Sequence, residues 1–194
     1  MCRHCLRLFF LCFIISCGGG GSGESIVYLA PVYNADYSQL TVVEGSSSVT
    51  QIAATDSNNR IVSHSIINGA DKEQFTLGVN GQLSFINAPD FEVPIDVGGD
   101  NNYNITIQAT AGQNVTSLDV TISVKDAFEG RVVDGPISNA TVFIDSNSDS
   151  IKNSSEMGVT TNSQGFFYIP KDSIVCNGIC DHTVVSQGGS DTQT

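Results

Sequence analysis

The chain has 194 residues, of which 40% are hydrophobic, so it is long enough to bury a core in one or two domains, and wholesale disorder is not expected. Twenty acidic residues against eight basic ones give a net charge of −12, which disfavours contact with nucleic acid or anionic lipid headgroups and favours cations.

The first seventeen residues form a predicted secretory signal. Arg3 and Arg7 precede an apolar run from Leu8 to Ile15, and the small Ser16 stands before Cys17. Eight apolar residues reach only about 12 Å as a helix, against a bilayer core of about 30 Å, so this segment is not expected to be a permanent membrane span.

The four residues Ile14-Ile15-Ser16-Cys17 resemble the lipobox of bacterial lipoproteins. The resemblance implies that Cys17 is lipidated and becomes the new N-terminus, which would attach the protein to a membrane of the cell envelope. By similarity to the sorting rules of Gram-negative bacteria, glycine rather than aspartate at position 18 favours the outer membrane or cell surface. A plain signal peptide with a chance cysteine is the alternative.

Removal of the signal would take away Arg3 and Arg7 but no acidic residue. Six basic residues would then face twenty acidic ones, a net charge of −14. Residues 18–25 follow as a glycine-rich tether, predicted to be flexible.

From about Ile26 the hydrophobic pattern predicts strands rather than helices. Gly, Asn, Asp and Ser clusters separate seven short alternating or β-branched runs, which indicate a β-sandwich. Asn80-Gly81 predicts a two-residue type I′ hairpin in which both residues have positive φ. The seven runs are Leu40–Val43, Val49–Ala54, Ile61–Ile67, Phe75–Val79, Gln82–Phe85, Tyr103–Ala109 and Thr116–Val124.

A second unit is predicted over residues 128–194. "GRVVDGPISNATVFID" indicates strand, turn and strand, and "TTNSQGFFYIP" indicates a turn and a further strand. The final "SQGGSDTQT" is expected to be a polar loop without a closing strand, so we expect this unit to be incomplete.

Residues 26–127 resemble bacterial cadherin-like domains. Six stretches occur in the family's order: "TVVEGSS", "IAATDSNN", "SHSIINGADKEQFTLGVNGQLSF", "PDFE", "YNITIQATAG" and "VKD". The resemblance implies an all-β fold, a Greek-key cadherin-like β-sandwich, with calcium held at domain junctions.

Carried over position by position, the resemblance places Glu44, Glu92 and Asp126 at the end nearest the second unit, as a junction calcium site. It places Asp56 and Asn58 at the end nearest the membrane. The chain departs from the family pattern at Ala111, where an aspartate is expected. It departs again at "DAFEG", which lacks the Asx-rich linker that completes a junction site.

The second unit resembles the B-type repeats of serine-aspartate adhesins and related prealbumin-like modules, which implies a smaller β-sandwich. Its stretch from Asp145 to Glu156 follows the twelve-residue ligand pattern of an EF-hand loop. Calcium would be bound by side chains or carbonyls at alternate positions, with a solvated turn cluster as the alternative; the predicted ligands are Asp145, Asn147, Asp149, Ile151, Asn153 and Glu156. Ser150 occupies the sixth place, where glycine with positive φ is usual.

Three features invite other interpretations. Cys176 and Cys180 flank a predicted Asn177-Gly178 turn that would allow a disulfide in an oxidising compartment; free thiols and a metal site are the other options. His64 alternates with apolar residues and is predicted to point outward from its strand. No Gly-x-Ser-x-Gly or His-Glu-x-x-His motif occurs, so we do not expect an enzyme.

The leading hypothesis is a lipid-anchored, calcium-binding cell-surface protein for adhesion or an adhesive stalk, with a protein or cell-surface partner and no nucleic acid. Two alternatives remain at this point. One is the non-catalytic N-terminal stalk of a larger secreted enzyme such as a polysaccharide hydrolase, and the other is a structural lipoprotein that binds no ion.

Overall fold

The structure is a computed structural model that describes residues 26–134, 136–174 and 183–191. These residues form strands and two short 3₁₀ turns, Lys72–Gln74 and Lys171–Ser173, and none of their helices has the length and hydrophobicity to cross a membrane. The predicted all-β class is confirmed. The predicted signal, Cys17, the tether and the Cys176/Cys180 pair lie outside the described residues.

The first unit has nine strands: β1 (Val32–Tyr33), β2 (Gln39–Val43), β3 (Ser48–Gln51), β4 (Ala54–Thr55), β5 (Ser63–Asn68), β6 (Phe75–Leu77), β7 (Gln82–Phe85), β8 (Asn102–Ala111) and β9 (Asn114–Lys125). One sheet has the order β2-β9-β8-β5 and the other β3-β7-β6, while β1 pairs with β4. The strand β2 runs parallel to β9, which brings the ends of both strands to the same edge of the sandwich.

Alternation along β8 and β9 explains why these strands form a sandwich. Tyr103, Ile105 and Ile107 of β8 are buried, and so are Val120 and Ile122 of β9, while the residues between them are less buried. Successive side chains of a strand point to opposite faces of the sheet, so this spacing produces one apolar face and one polar face. The apolar face packs against the second sheet, and the polar face is exposed to water.

The predicted turn at Asn80-Gly81 is partly wrong. Gly81 has a φ of 87°, but Asn80 does not have positive φ. The chain instead reverses over Gly78–Gly81, where the Gly81 N–H donates to the Gly78 carbonyl at 2.8 Å. A longer loop ending in one left-handed glycine is another standard hairpin connection, and it needs positive φ at only one residue.

The prediction for His64 is also wrong. His64 pairs with the buried Ala109 across β5 and β8, so it lies on the inward face and is half-buried. The ring of Tyr33 from β1 packs near it, at 6.5 Å between ring centroids. Burial lowers the pKa of His64. The sequence pattern could not show that β1 would cover this edge strand.

The second unit has seven strands in the described residues: β10 (Ala127–Arg131), β11 (Ile137–Ser138), β12 (Thr141–Asp145), β13 (Gly158–Thr160), β14 (Phe166–Pro170), β15 (Thr183–Gln187) and β16 (Ser190–Asp191). They pair as β13-β12-β15, β10-β14 and β11-β16. Val142 and Ile144 of β12 pack with Phe167 and Ile169 of β14 in a small separate core.

The expected polar loop at the end of the chain is wrong for residues 186–191. The strand β15 continues to Gln187, and β16 follows after a turn at Gly188 and Gly189, whose φ angles are 67° and 93°. Two adjacent glycines allow this reversal because they carry no Cβ to clash in the left-handed region. That the second unit is incomplete stays a prediction.

The two units are joined by a single residue. The strand β9 ends at Lys125 and β10 begins at Ala127, so only Asp126 lies between them. A connection this short brings the loops at the end of the first sandwich next to the start of the second unit.

Candidate metal centre at the junction of the two units

Glu44 stands at the centre of the junction. It follows β2 directly, and only 1% of its surface is exposed. Its carboxylate accepts two backbone hydrogen bonds, from the Phe91 N–H at 2.8 Å and from the Ala127 N–H at 2.7 Å. One side chain therefore holds together the end of β2, the loop after β7 and the first residue of the second unit.

Asp90 and Glu92 lie beside Glu44. One carboxylate oxygen from each of these three residues lies within 4.8 Å of the others. Asp90 is fixed by the Val93 N–H, which donates to its Oδ1 at 3.0 Å. We call Glu44, Asp90 and Glu92 the junction cluster; in the described part of the chain no other three acidic, His or Cys residues come together in this way.

The junction cluster lacks a basic ion-pair partner in the described part of the chain. Within the described ranges, no lysine or arginine forms an ion pair with any of its three carboxylates. A fourth carboxylate adds to the negative charge: burial, followed by the charges of Glu44, Glu92 and Asp90, raises the pKa of Glu129. The site is therefore a region of negative charge without an ion-paired base in the described residues.

The donor set fits a hard divalent cation. Calcium is bound by six to eight oxygen ligands, and carboxylates, backbone carbonyls and waters are its usual ligands. Each carboxylate oxygen can accept two hydrogen bonds or metal contacts. The two hydrogen bonds from backbone N–H groups therefore leave the Glu44 carboxylate free capacity to bind an ion. The same hydrogen bonds fix the orientation of the Glu44 carboxylate without an ion.

Asp126 was predicted to join this site, but the structure places it outside the cluster. Its Oδ2 pairs with Lys171 Nζ at 2.7 Å, and the Lys171 backbone N–H donates to the Asp126 carbonyl at 3.2 Å. Asp90 takes the third place instead. Asp90 lies in the "PDFE" stretch, two residues before Glu92, and this Asp-x-Glu spacing is the sequence signal that indicates it.

A direct packing contact also joins the two units. Gly45, at a φ of 73°, lies against the ring of Tyr168 in β14, and a Cβ at this position would come within 2.4 Å of that ring. Burial raises the pKa of Tyr168, and the charge of Glu129 acts in the same direction. The glycine after Glu44 is therefore needed for the close approach of the second unit.

The acidic loop of the second unit is closed by its first and last predicted ligands. Asp145 is 2% exposed and Glu156 is 5% exposed. The Ser150 N–H donates to Asp145 Oδ2 at 2.8 Å, and the Ser146 N–H donates to Glu156 Oε1 at 2.9 Å. Ser150 has a φ of 59°, so it adopts the left-handed conformation that its place in the twelve-residue pattern requires.

The remaining predicted ligands of the loop point into local turns. Asp149 accepts hydrogen bonds from the Ile151 N–H at 2.7 Å and from the Asn147 side-chain amide at 2.8 Å. Asn153 Oδ1 accepts from the Ser155 hydroxyl at 2.6 Å. The loop has the turn geometry of the pattern, but three of its acidic groups do not come within 4.8 Å of each other as in the junction cluster.

At the opposite end of the first unit, an arginine side chain neutralises a buried aspartate. Asp56 and Asn58 were expected at this end of the first unit, and Arg60 is the cation that pairs with Asp56 there. The Arg60 guanidinium donates to both carboxylate oxygens of Asp56, at 2.9 Å and 2.6 Å. This bond holds the pKa of Asp56 well below its usual range, and the backbone N–H groups of Arg60 and Asn58 act in the same direction.

Comparison with known proteins gives structural neighbours only. No protein-family profile matches the chain, and no curated protein sequence matches it. Solved structures similar to it include Drosophila N-cadherin EC1-3, with 25% identity over 50% of this chain and a TM-score of 0.43. Mouse Protocadherin-24 EC1-3 gives 24% identity over 50% of the chain and a TM-score of 0.43.

Human Protocadherin-24 EC1-2 aligns over 84% of this chain and 95% of its own length, with 11% identity and a TM-score of 0.46. The present chain spans 34% of the length of the N-cadherin and mouse protocadherin chains. These neighbours are cadherin extracellular domains. TM-scores of this size do not establish a shared fold, so the architecture given above rests on the strand pairing of the chain itself.

Proposed function

We propose that the chain is a lipid-anchored, calcium-binding cell-surface protein of the adhesion or adhesive-stalk type. In this proposal calcium at the junction cluster fixes the second unit on the first. The observation that carries the proposal is the convergence of Glu44, Asp90 and Glu92 within 4.8 Å at a one-residue connection, without a basic partner in the described residues.

Electrostatics supports a cation at this position. Two like charges at about 4 Å repel by about 1 kcal/mol in water and by about 4 kcal/mol at an effective dielectric constant of about 20. The junction cluster contains three such pairs at its end of the sandwich, and Glu129 lies close by. A divalent ion would replace this repulsion with attraction, and the junction would then resist bending.

Residues from both units contribute to this effect. Glu44 already bonds the Ala127 N–H of β10, and Gly45 contacts Tyr168 of β14. An ion that holds Glu44 in place would therefore also hold these contacts. Such a stiff pair of β-units suits a protein that extends a binding surface away from a membrane.

The acidic loop is proposed as a second calcium site. Asp145, Asn147, Asp149, Asn153 and Glu156 supply oxygen side chains at EF-hand positions, and Ile151 would supply its backbone carbonyl. Affinities of about 10⁻⁴ to 10⁻³ M are typical of extracellular calcium modules, and this range suits a loop with serine in the glycine position.

Membrane attachment and cell-surface location are proposed from the lipobox resemblance at Cys17. Attachment through lipid would leave the two β-units outside the cell, where calcium is abundant. The partner of the adhesive surface is proposed only as a protein or cell-surface component.

Calcium titration of the full chain by isothermal calorimetry tests the junction site. Glu92→Gln and Asp90→Asn each remove one cluster charge and should abolish one calcium equivalent. At calcium tenfold above Kd, wild-type protein should gain about 1.4 kcal/mol of stability from each site. Asp119→Asn is the matched control, because Asp119 is exposed in the middle of β9, and its carboxylate accepts a hydrogen bond from the Thr106 hydroxyl across the sheet.

The proposal would fail if Glu92→Gln bound as many calcium ions, with the same affinity, as Asp119→Asn. Complete absence of calcium binding by the wild-type chain would instead favour a structural lipoprotein without an ion.

The loop has a separate test. Asp145→Ala and Glu156→Ala should each abolish calcium binding at the loop and leave the calcium ion of the junction cluster bound, which Glu92→Gln removes. Each loop variant should also lose most of the rise in melting temperature that calcium binding at the loop produces. Equal calcium-dependent melting in both variants and the wild type would show that the loop is not a site.

A further inference from the structure

Four consecutive exposed apolar side chains stand at the start of the described residues. Ile26, Val27, Tyr28 and Leu29 are 62%, 70%, 51% and 57% exposed. An apolar run of this length on a surface marks a contact site for a protein or a membrane, because a soluble domain gains nothing from exposing it. We call these four residues, together with Ile61, which is 91% exposed, the outer patch.

Hydrogen bonds hold the outer patch at the outer end of the first sandwich, opposite the junction. Arg60 Nη2 donates to the Leu29 carbonyl at 2.6 Å, and Asn114 Nδ2 donates to the Tyr28 carbonyl at 3.2 Å. The Arg60 guanidinium also lies 4.9 Å from the centre of the Tyr28 ring. Ile61 follows Arg60 directly, so the two parts of the patch meet at this arginine.

The chemistry of the outer patch fits the headgroup region of a bilayer. Aliphatic side chains can enter the boundary of the acyl chains, and a tyrosine is typical of the interface between membrane and water. Arg60 is charged, but it pairs with Asp56 at 2.6 Å, so this pair brings no net charge to the surface. The acidic chain as a whole is repelled by anionic lipids, so we expect zwitterionic headgroups as the contact.

The outer patch is also the part of the described chain that lies nearest in sequence to the proposed lipid anchor. Ile26 comes nine residues after Cys17, and nine residues reach at most about 32 Å when fully extended. A lipid inserted in the bilayer would keep the patch near the surface at an effective concentration in the millimolar range. A contact that is too weak to bind a membrane by itself is sufficient under this condition.

We propose that the outer patch is a membrane-contact surface, which seats the first sandwich on zwitterionic lipid headgroups of the bilayer that holds the anchor. The inference rests on the proposed lipid anchor at Cys17. Because the junction lies at the opposite end of the sandwich, such a seat would direct the second unit away from the membrane. The lipid alone would leave the orientation of the sandwich undefined.

The test exploits the absence of tryptophan from the chain. Ile61→Trp places one reporter in the outer patch, and Val97→Trp is the matched control, because Val97 is apolar and 76% exposed. The Val97 and Asn104 N–H groups both donate to Asp71, each at 2.7 Å. Asn104 precedes Ala111, the outer end of β8, by seven residues, so the control lies about 24 Å further from the outer end.

Each variant is prepared as the lipidated full chain in phosphatidylcholine vesicles, with mass spectrometry to establish the lipid on Cys17. An interfacial side chain reaches about 5–10 Å into the headgroup boundary, so brominated acyl chains should quench the Ile61→Trp emission by about twofold or more. The Val97→Trp emission should not change. Equal quenching of the two reporters, or none in either, would overturn the proposal.

The two levels of the argument fail in different ways. A chain without lipid on Cys17 would contradict the proposed anchor and, with it, the seat on the bilayer. A lipidated chain in which Ile61→Trp is not quenched would contradict the outer patch as a contact surface and leave the anchor intact.

Added charge separates apolar contact from mere proximity to the anchor. In the Ile61→Trp background, Val27→Asp with Leu29→Asp should remove about half of the quenching or more, because a carboxylate resists transfer out of water. Ile95→Asp with Val97→Asp adds the same charge at exposed positions remote from the patch and should leave the quenching unchanged. Equal quenching in the two double variants, with melting curves like that of the parent, would overturn the proposal.

A second copy of the chain is the other occupant that the test distinguishes. The chain from Gly18 onward carries no lipid and includes every described residue. In solution without vesicles, its Ile61→Trp variant should emit as a water-exposed tryptophan at every protein concentration. A shift to shorter wavelength that grows with concentration would assign the outer patch to self-association and overturn the membrane contact.

Discussion

The two ends of the first unit treat their acidic residues in different ways. At the outer end, Asp56 is paired with Arg60 at 2.6 Å. At the junction end, Glu44, Asp90 and Glu92 converge with no lysine or arginine paired to them in the described residues. The outer end thus carries its own cation, while the carboxylates at the end that contacts the second unit have no ion-paired base in the described residues.

Both ends contain the same local arrangement, a buried carboxylate that accepts hydrogen bonds from backbone N–H groups. Asp56 Oδ1 accepts from Asn58 and Arg60, each at 3.1 Å. Glu44 accepts from Phe91 and Ala127. The difference lies in what neutralises the carboxylate: a side chain four residues away in one case, and a proposed calcium ion in the other.

The largest effect is expected for Glu44→Ala. The change leaves the Phe91 and Ala127 N–H groups without their acceptor, at a cost of about 1–3 kcal/mol for each buried group. Relief of the repulsion from Asp90 and Glu92 offsets about 1 kcal/mol of this, so a net loss of about 3 kcal/mol is expected. Urea unfolding of the full chain in EDTA measures this loss. The control Glu73→Ala removes an exposed carboxylate and should change stability by less than about 0.5 kcal/mol. Equal stability of the two variants would contradict the bracing role of Glu44.

A smaller loss is expected for Arg60→Met, because Asp56 would keep its two backbone N–H partners. The variant leaves the covered Asp56 carboxylate without a cation, so the melting temperature should fall by the same amount with and without calcium. Lys72→Met, which breaks an exposed pair at 3.7 Å, is the control and should have little effect. Rescue of Arg60→Met by calcium would show that the outer end also binds an ion, and the contrast between the two ends would be lost.

The smallest effects concern pH, and they should have opposite signs at the two ends. The pKa of Asp56 is lowered by Arg60, so its stabilising contribution is present above its unfolded pKa and is lost as pH falls. The pKa of Glu129 is raised by burial and by neighbouring carboxylates, so in metal-free protein its ionisation lowers stability as pH rises above the unfolded value.

In EDTA at pH 7, Glu129→Gln should therefore be more stable than wild type, and Asp56→Asn less stable. The Glu129 difference should shrink as pH falls through its raised folded pKa towards about 4, the unfolded carboxyl value. The Asp56 difference should persist to about pH 4 and shrink only below it, because its folded pKa is lowered. Thermal unfolding from about pH 2 to pH 7 measures both. A loss of stability in Glu129→Gln at pH 7 would show that Glu129 is not in a repulsive environment.

Much of the fold follows from local sequence pattern. The alternation of Tyr103, Ile105 and Ile107 predicts a half-buried strand, and β8 has this burial. The hairpin at Gly81 and the position of His64 were less predictable, since the first depends on loop length and the second on coverage by β1.

The site was predictable only in part, because its geometry depends on contacts that are distant in sequence. Glu44 and Glu92 were predicted at the junction, and the structure places them there. The sequence could not show that Asp126 lies outside the junction cluster, because its partner Lys171 lies 45 residues further along the chain. Arg60, by contrast, is only four residues from Asp56, and the spacing of this pair is visible in the sequence.

The most direct test of calcium at the junction is a crystal structure of the protein grown in millimolar calcium, with anomalous data collected at long wavelength. The account predicts an anomalous peak in contact with carboxylate oxygens of Glu44, Asp90 and Glu92. A well-ordered junction with these three side chains turned to solvent and no peak between them would contradict it.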